Sequence, residues 1–290
     1  MVEIETKDHW NLVALEADNS QSALRSEKWK KAARNWLADY ADKRARDFVL
    51  NVINEVVKLN RSSKVLDIGC GPGKWSITFA KQYSSVTAID SSKNMIFLAE
   101  ANAKKENLGN LDFRIMNVSR LDLPNEVYDL VNCVTVLQHV FDDSDWRRAI
   151  HELGRVTKKN GHVLLFEVAP SFALRRRTSN LSIRTMKEYI SEFEKAKMCL
   201  VHWRGVDLSL PVTYLGLKRY AASFNKRVYY FMSGRESLTP QFLSFLSRCT
   251  ALLAGIIDYK LAETPLSFLS FGRILLFRRM NGSSSFQVGT

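Results

Sequence analysis

The chain predicts an α/β fold, a mostly parallel sheet with helices on both faces, and three observations carry that expectation. From residue 64 to residue 168, short apolar runs alternate with stretches of helical periodicity. The first run, KVLDIGCGPGKW (Lys64 to Trp75), breaks into glycines at alternate positions, Gly69, Gly71 and Gly73, and then resumes as a helical pattern. Acids mark the first two strands: Asp67 stands two places before the first glycine, and Asp90 ends the next apolar run.

Taken in order, residues 1–44 are polar and charged, hold Trp10, Trp29, Trp36 and Tyr40, and contain no strand-like run, so a helical cap is expected. A helix over residues 45–58 follows, with Phe48, Val49, Val52, Ile53, Val56 and Val57 on one face. Beyond Lys64 to Ile68, strands are expected at Ser85 to Asp90, Asp112 to Met116, Tyr128 to Val136 and His162 to Val168. Between them, Ser92 to Glu106 and Ser144 to Val156 read as helices, the second capped by Asp143 or Ser144. Capping also accounts for the cluster Asp142, Asp143 and Asp145 better than a metal site does.

Two further runs, Cys199 to Leu210 and Gly272 to Met280, read as the closing strands of the sheet. Their connection, Pro211 to Phe271, is far longer than a hairpin needs and is rich in Phe, Tyr, Leu and basic residues. It is expected to be an acceptor-binding lid. The division is then a cap at 1–44, a core at 45–210, the insertion at 211–271, and a last strand and tail at 272–290.

Composition sets limits on function. With 290 residues and 46% hydrophobic content the chain can bury a sizeable core. The net charge of +12 is unevenly placed: residues 1–169 hold 24 Lys+Arg against 23 Asp+Glu, whereas residues 170–290 hold 18 against 7. That asymmetry suits an anionic partner, or basic residues that keep an apolar extension in solution. The longest apolar run, Phe242 to Ile257, is interrupted by Arg248 and closed by Asp258, short of a membrane span, although peripheral contact with a membrane surface stays open. Four widely separated cysteines, with no CxxC pair, metal-ligand spacing or signal peptide, predict a reducing, cytoplasmic location and no bound metal.

The glycine loop selects among ligands. A dinucleotide loop, G-x-G-x-x-G, would need glycine or alanine at position 74, where Lys74 stands. A carboxylate at the end of the second strand, Asp90, is placed to accept from two vicinal ribose hydroxyls, and glycines let backbone approach a ligand closely. Asp67, beneath the loop, is expected to accept from loop amides or from an ammonium through water. Together these features suit an amino-acid nucleoside, S-adenosylmethionine.

The segments VLDIGCGPGKWSITFA, VTAIDSSKNMIFLAEANAK and YDLVNCVTVLQHV, with ELGRVTKKNGHVLLFE after them, resemble the class I S-adenosylmethionine-dependent methyltransferases. They are most similar to the subgroup that includes the ubiquinone and menaquinone methyltransferases, over roughly residues 45–170. The resemblance implies a Rossmann-like sheet. It places Gly69, Gly71 and Gly73 along the methionine part, Asp90 on the ribose, Ser91 and Met95 beside the adenine, and Asn117 and Val118 at the adenine edge. Val134 would face the methionyl portion through its backbone. Many relatives have an acid at the position of Asn117, and an amide can still accept from the adenine amino group.

Methyl transfer from a sulfonium is an in-line displacement that mainly requires alignment, helped by a base where the nucleophile is a hydroxyl. His139, in VLQHVFDD beyond the fourth strand, is the candidate base; His202 and Glu167 are further candidates. Arg175, Arg176 and Arg177 form a cluster suited to phosphate or carboxylate, and His202 is grouped with them on the acceptor side. The expected activity is methyl transfer to oxygen on a small or medium anionic acceptor, such as a sugar, a lipid-linked intermediate or a phosphorylated metabolite. The alternative is an RNA methyltransferase using the basic C-terminal part. It is less favoured, because the sequence has no Asn/Asp-Pro-Pro-Tyr after the fourth strand, no Pro-Cys nucleophile and no recognisable RNA-binding module.

Overall fold

The computed structural model describes residues 46–171, 176–177, 181–207 and 272–281. The expected cap, Arg175 and the insertion at 211–271 lie outside the described residues, as do Leu208 to Leu210.

Helix α1 is described from residue 46 and widens at Ile53–Val57 into a π turn, closed by the Lys58 amide on the Ile53 carbonyl at 3.0 Å. The wider turn shifts the helical phase. Phe48, Val49, Val52 and Ile53 are buried as expected and Val57 packs half-buried against them, but Val56 is 36% exposed and leaves the face.

The chain then runs β1 (Lys64–Ile68), α2 (Lys74–Ala80), β2 (Ser85–Asp90), α3 (Lys93–Lys105), β3 (Leu111–Ile115) and β4 (Tyr128–Val134). A short 3-10 turn at Leu137–His139 leads to α4 (Asp143–Val156) and β5 (Thr157–Val168). The two-residue strands β6 (Arg176–Arg177) and β7 (Ser182–Ile183) pair with each other, followed by α5 (Met186–Lys195), β8 (Met198–Asp207) and β9 (Gly272–Arg279).

Seven strands form one sheet in the order β3-β2-β1-β4-β5-β9-β8, with β1 to β5 parallel and β9 antiparallel to both β5 and β8. The expected closing pair is present. Alternate residues of the central strands enter two cores. Val65, Leu130 and Leu164 pack with Phe48, Ile53 and Phe79 of α1 and α2, while Leu66, Val131 and Leu165 pack with Trp146, Ile150, Tyr189 and Phe193 of α4 and α5. Ala88 on β2 meets Ile96 and Ala99 of α3. With both faces covered among the described residues, the carboxyl ends of the parallel strands are where a sheet of this kind forms its site.

Three of the boundary differences have a visible local cause. β4 stops at Val134, because Thr135 turns left-handed with φ 55° while its amide donates to the Phe166 carbonyl at 2.8 Å. β5 begins at Thr157, five residues early, because Thr157 pairs with Tyr128 across an irregular register. Helix α4 is capped by Asp142, which accepts from the Asp145 amide at 2.9 Å; Asp143 instead pairs with Arg184 at 3.0 Å.

Candidate cofactor-binding site

The site is built at the carboxyl ends of β1, β2 and β4, where Ile68 lies in register with both Ile89 and Cys133. This brings the first glycine of the loop beside Asp90 on one side and Val134 on the other. Gly69 has φ 61°, and a Cβ there would stand 2.4 Å from Cγ2 of Val136, so glycine is required by backbone and by space together. Gly71, with φ 52°, has nothing within 4 Å of where its Cβ would be. That open point is where a ligand can reach backbone.

Asp90 ties the loop to the next segment. Its Oδ2 accepts from the Gly71 amide at 3.0 Å and its Oδ1 from the Ser92 amide at 2.8 Å. Burial pushes its carboxyl above the usual range, and the amides of Ser92 and Gly71 partly offset this. A carboxylate offers about four acceptor positions, so each oxygen keeps capacity for a hydroxyl, the pattern a ribose needs.

The remaining expected adenine-side residues gather nearby. The Met116 amide donates to the Asp90 carbonyl at 3.0 Å, which brings the Asn117–Val118 loop to the end of β2. Asn117 Oδ1 accepts from the Ser119 amide at 2.9 Å and its hydroxyl at 3.0 Å. Val118 and Met95 are buried, Ser91 is half-buried, and the Met95 amide is capped by Ser92 Oγ at 3.2 Å.

Asp67 departs from the expectation that it serves the loop amides. Its oxygens accept from Ser76 Oγ on α2 at 2.6 Å and from Asn132 Nδ2 on β4 at 2.9 Å. Full burial, opposed by those two bonds and reinforced by Asp90, raises its carboxyl to about 6. Asp67 therefore braces the sheet and α2 beneath the loop. Ser76 and Asn132 were not anticipated. The one available signal was a polar Asn132 inside the apolar run LVNCV.

Beyond β4, His139 ends the 3-10 turn, half-buried, with its Nε2 3.5 Å from Gln138 Nε2. Glu167 cannot serve as a free base there. Its Oε1 accepts from the Val136 amide at 2.8 Å and the Leu137 amide at 2.9 Å, and its Oε2 from the Gln138 amide at 3.1 Å. Burial raises its carboxyl to about 7, against the pull of those amides and of Arg184. His202, on β8, is paired with Leu276 of β9, which itself pairs with Leu164 in the middle of β5 rather than at its carboxyl end. Burial, then Arg204, lowers its imidazole from the ordinary value. Arg176 and Arg177 lie in β6, in the connection that leaves β5.

Among the described residues, no group of three His, Cys, Asp or Glu side chains could hold a metal ion, and no helix is long and apolar enough to cross a membrane. Cys70, Cys133 and Cys199 are free thiols.

The strand order, the glycine loop and the Asp90 carboxylate define a Rossmann-like domain of the class I S-adenosylmethionine-dependent methyltransferase type. Residues 65–161 match the family described as a methyltransferase domain, and the chain carries that domain. It is 27% identical over 118 residues to the uncharacterized methyltransferase YcgJ of Bacillus subtilis, covering 41% of this chain and 46% of that protein. It is 31% identical over 143 residues to the mitochondrial ubiquinone biosynthesis O-methyltransferase of Schizosaccharomyces pombe, covering 49% and 50%. The chain thus spans about half the length of these curated relatives. The fold is shared with the crystal structure of the cyclase SpnF, at a TM-score of 0.55, 20% identity and 81% of each chain covered.

Proposed function

We propose that the chain transfers a methyl group from S-adenosylmethionine to oxygen on a small or medium anionic acceptor. The observation that carries the cofactor half is Asp90, which fastens the glycine loop by one oxygen and the start of the next helix by the other, with acceptor capacity left for a ribose. Gly69, Gly71 and Gly73 would line the methionine portion, Val134 would face it through its backbone, and Ser91, Met95, Asn117 and Val118 would enclose the adenine. The bound cofactor supplies an activated methyl on a sulfonium. The chain's own part is to hold that methyl in line with the nucleophile and to keep water out. His139, just beyond β4, is the base we assign for a hydroxyl nucleophile.

The acceptor half rests on the 18 to 7 excess of basic over acidic residues beyond residue 169 and on the adjacent Arg175, Arg176 and Arg177. The ubiquinone biosynthesis O-methyltransferase relative supports oxygen as the attacked atom. The same fold also hosts a cyclase, so the reaction itself needs a direct test.

Calorimetry with S-adenosylmethionine and its demethylated product should show binding, and a nicotinamide dinucleotide should show none. Transfer of labelled methyl to anionic and neutral acceptor panels should favour the anionic members. Neutralising Arg175, Arg176 and Arg177 together should raise the acceptor KM and leave cofactor affinity unchanged. Equal methylation of neutral acceptors, with a triple variant like the wild type, removes the anionic reading. A steep logarithmic salt dependence would move the assignment to RNA.

A further inference from the structure

The loop from Thr135 to Val140 is anchored at its start by the Thr135 amide on the Phe166 carbonyl, and beyond that two side chains from other elements reach it. Glu167, 1% exposed near the end of β5, accepts the amides of Val136, Leu137 and Gln138. Arg184, also 1% exposed, donates Nη2 to the Val140 carbonyl at 2.9 Å and to Asp143 Oδ1 at 3.0 Å, and Nη1 to the Leu137 carbonyl at 3.4 Å. Its guanidinium lies 4.6 Å from the centre of the Trp146 ring. Gln138 Oε1 returns the tie by accepting the Val168 amide at 3.1 Å.

This arrangement is costly. A carboxylate and a guanidinium are taken out of water where an apolar filling would be cheaper, and β-branched Thr135 is kept left-handed at φ 55°. Such strain persists where the surroundings over-determine it, and it concentrates at functional sites. The loop so held presses Val136 against Gly69 and carries His139.

We infer that Glu167 and Arg184 are positioning residues that clamp this loop by its amides and its carbonyls, setting Val136 and His139 against the methionine end of the cofactor site. The inference rests on the methyl-transfer reading above. Glu167 touches neither cofactor nor acceptor in it; it acts through the loop.

The test uses the full chain carrying Glu167→Gln, a near-isostere that removes the charge and presents an N–H to the Gln138 amide. At about pH 8 its stability to urea should equal or exceed that of the wild type, because a buried charge has been removed. Its affinity for S-adenosylhomocysteine should nevertheless fall about tenfold, and the amides of Val136, Leu137 and Gln138 should exchange with deuterium about tenfold faster while those of β4 and β5 keep their protection. Arg184→Lys, which cannot span the Val140 carbonyl and Asp143 together, should lower affinity in the same direction. Unchanged loop exchange and affinity overturns the clamp, and so does an affinity that falls only in step with stability. A wild-type chain that does not bind S-adenosylhomocysteine overturns the methyl-transfer reading, and loop exchange then decides the clamp by itself.

Discussion

Asn132 donates its side-chain amide to Asp67 at 2.9 Å, from β4 to β1, with both residues fully buried under the glycine loop. The bond matters most when Asp67 is ionised, because an ionised carboxylate without donors in an apolar interior is heavily penalised. Asn132→Ala should therefore destabilise the chain by about 1–3 kcal/mol at about pH 8 and by less at about pH 5. Urea unfolding at the two pH values checks this; an equal loss at both would mean that Asn132 matters only for packing.

Asp67 and Glu167 should together make the fold weaken as pH rises. Their folded values, about 6 and about 7, lie above the ordinary 3.8 and 4.5, in each case chiefly through burial. Folding thus takes up protons, and the stability from these groups is fully present below the ordinary values and lost as pH climbs through about 6 and about 7. Each contributes on the order of 3 kcal/mol across that window. Asp67→Asn and Glu167→Gln should each flatten the profile measured by denaturant titration from about pH 4 to about pH 8. A wild-type profile that rises with pH in this range, and is unaltered in both variants, would falsify the linkage.

Asp90→Ala should weaken S-adenosylmethionine binding by about tenfold or more. Two losses combine: the ribose acceptors, and the tie that holds the Gly71 amide. Asp90→Asn keeps one acceptor oxygen and should fall between alanine and wild type. Calorimetry that finds all three chains equal would remove Asp90 from the ribose.

Gly69 and Gly71 separate space from conformation. Both are left-handed, so alanine at either should cost about 1–2 kcal/mol of backbone strain. Only at Gly69 does a Cβ also meet Val136, at 2.4 Å. Gly69→Ala should accordingly unfold at lower urea than Gly71→Ala, and adding Val136→Ala should recover part, not all, of the difference. Recovery past the level of Gly71→Ala, to that of the chain carrying Val136→Ala alone, would show that backbone strain at Gly69 is negligible.

The parallel strands, the glycine loop, Asp90 and the closing strand pair were legible in the sequence because each is written locally. Apolar runs of strand length, left-handed turns that favour glycine and helix-start residues depend on neighbours a few positions away. Even there the phase failed at Ile53–Val57, where a π turn exposes Val56, and at Thr135, where a β-branched residue goes left-handed and ends β4 early. Nothing in the local pattern announces either change.

What only the tertiary structure decided is the job of each buried polar side chain. Asp67, expected to accept from loop amides or from an ammonium through water, takes its donors from Ser76 and Asn132, the latter 65 residues away. Glu167 was read as a spare base, and it binds loop amides 29 to 31 residues earlier. Arg184 stands in no motif, yet it reaches the Val140 carbonyl 44 residues back. The physical reason is that hydrophobic periodicity records which face of an element is buried, whereas a buried donor or acceptor takes whichever partner strand register and helix packing bring within about 3 Å.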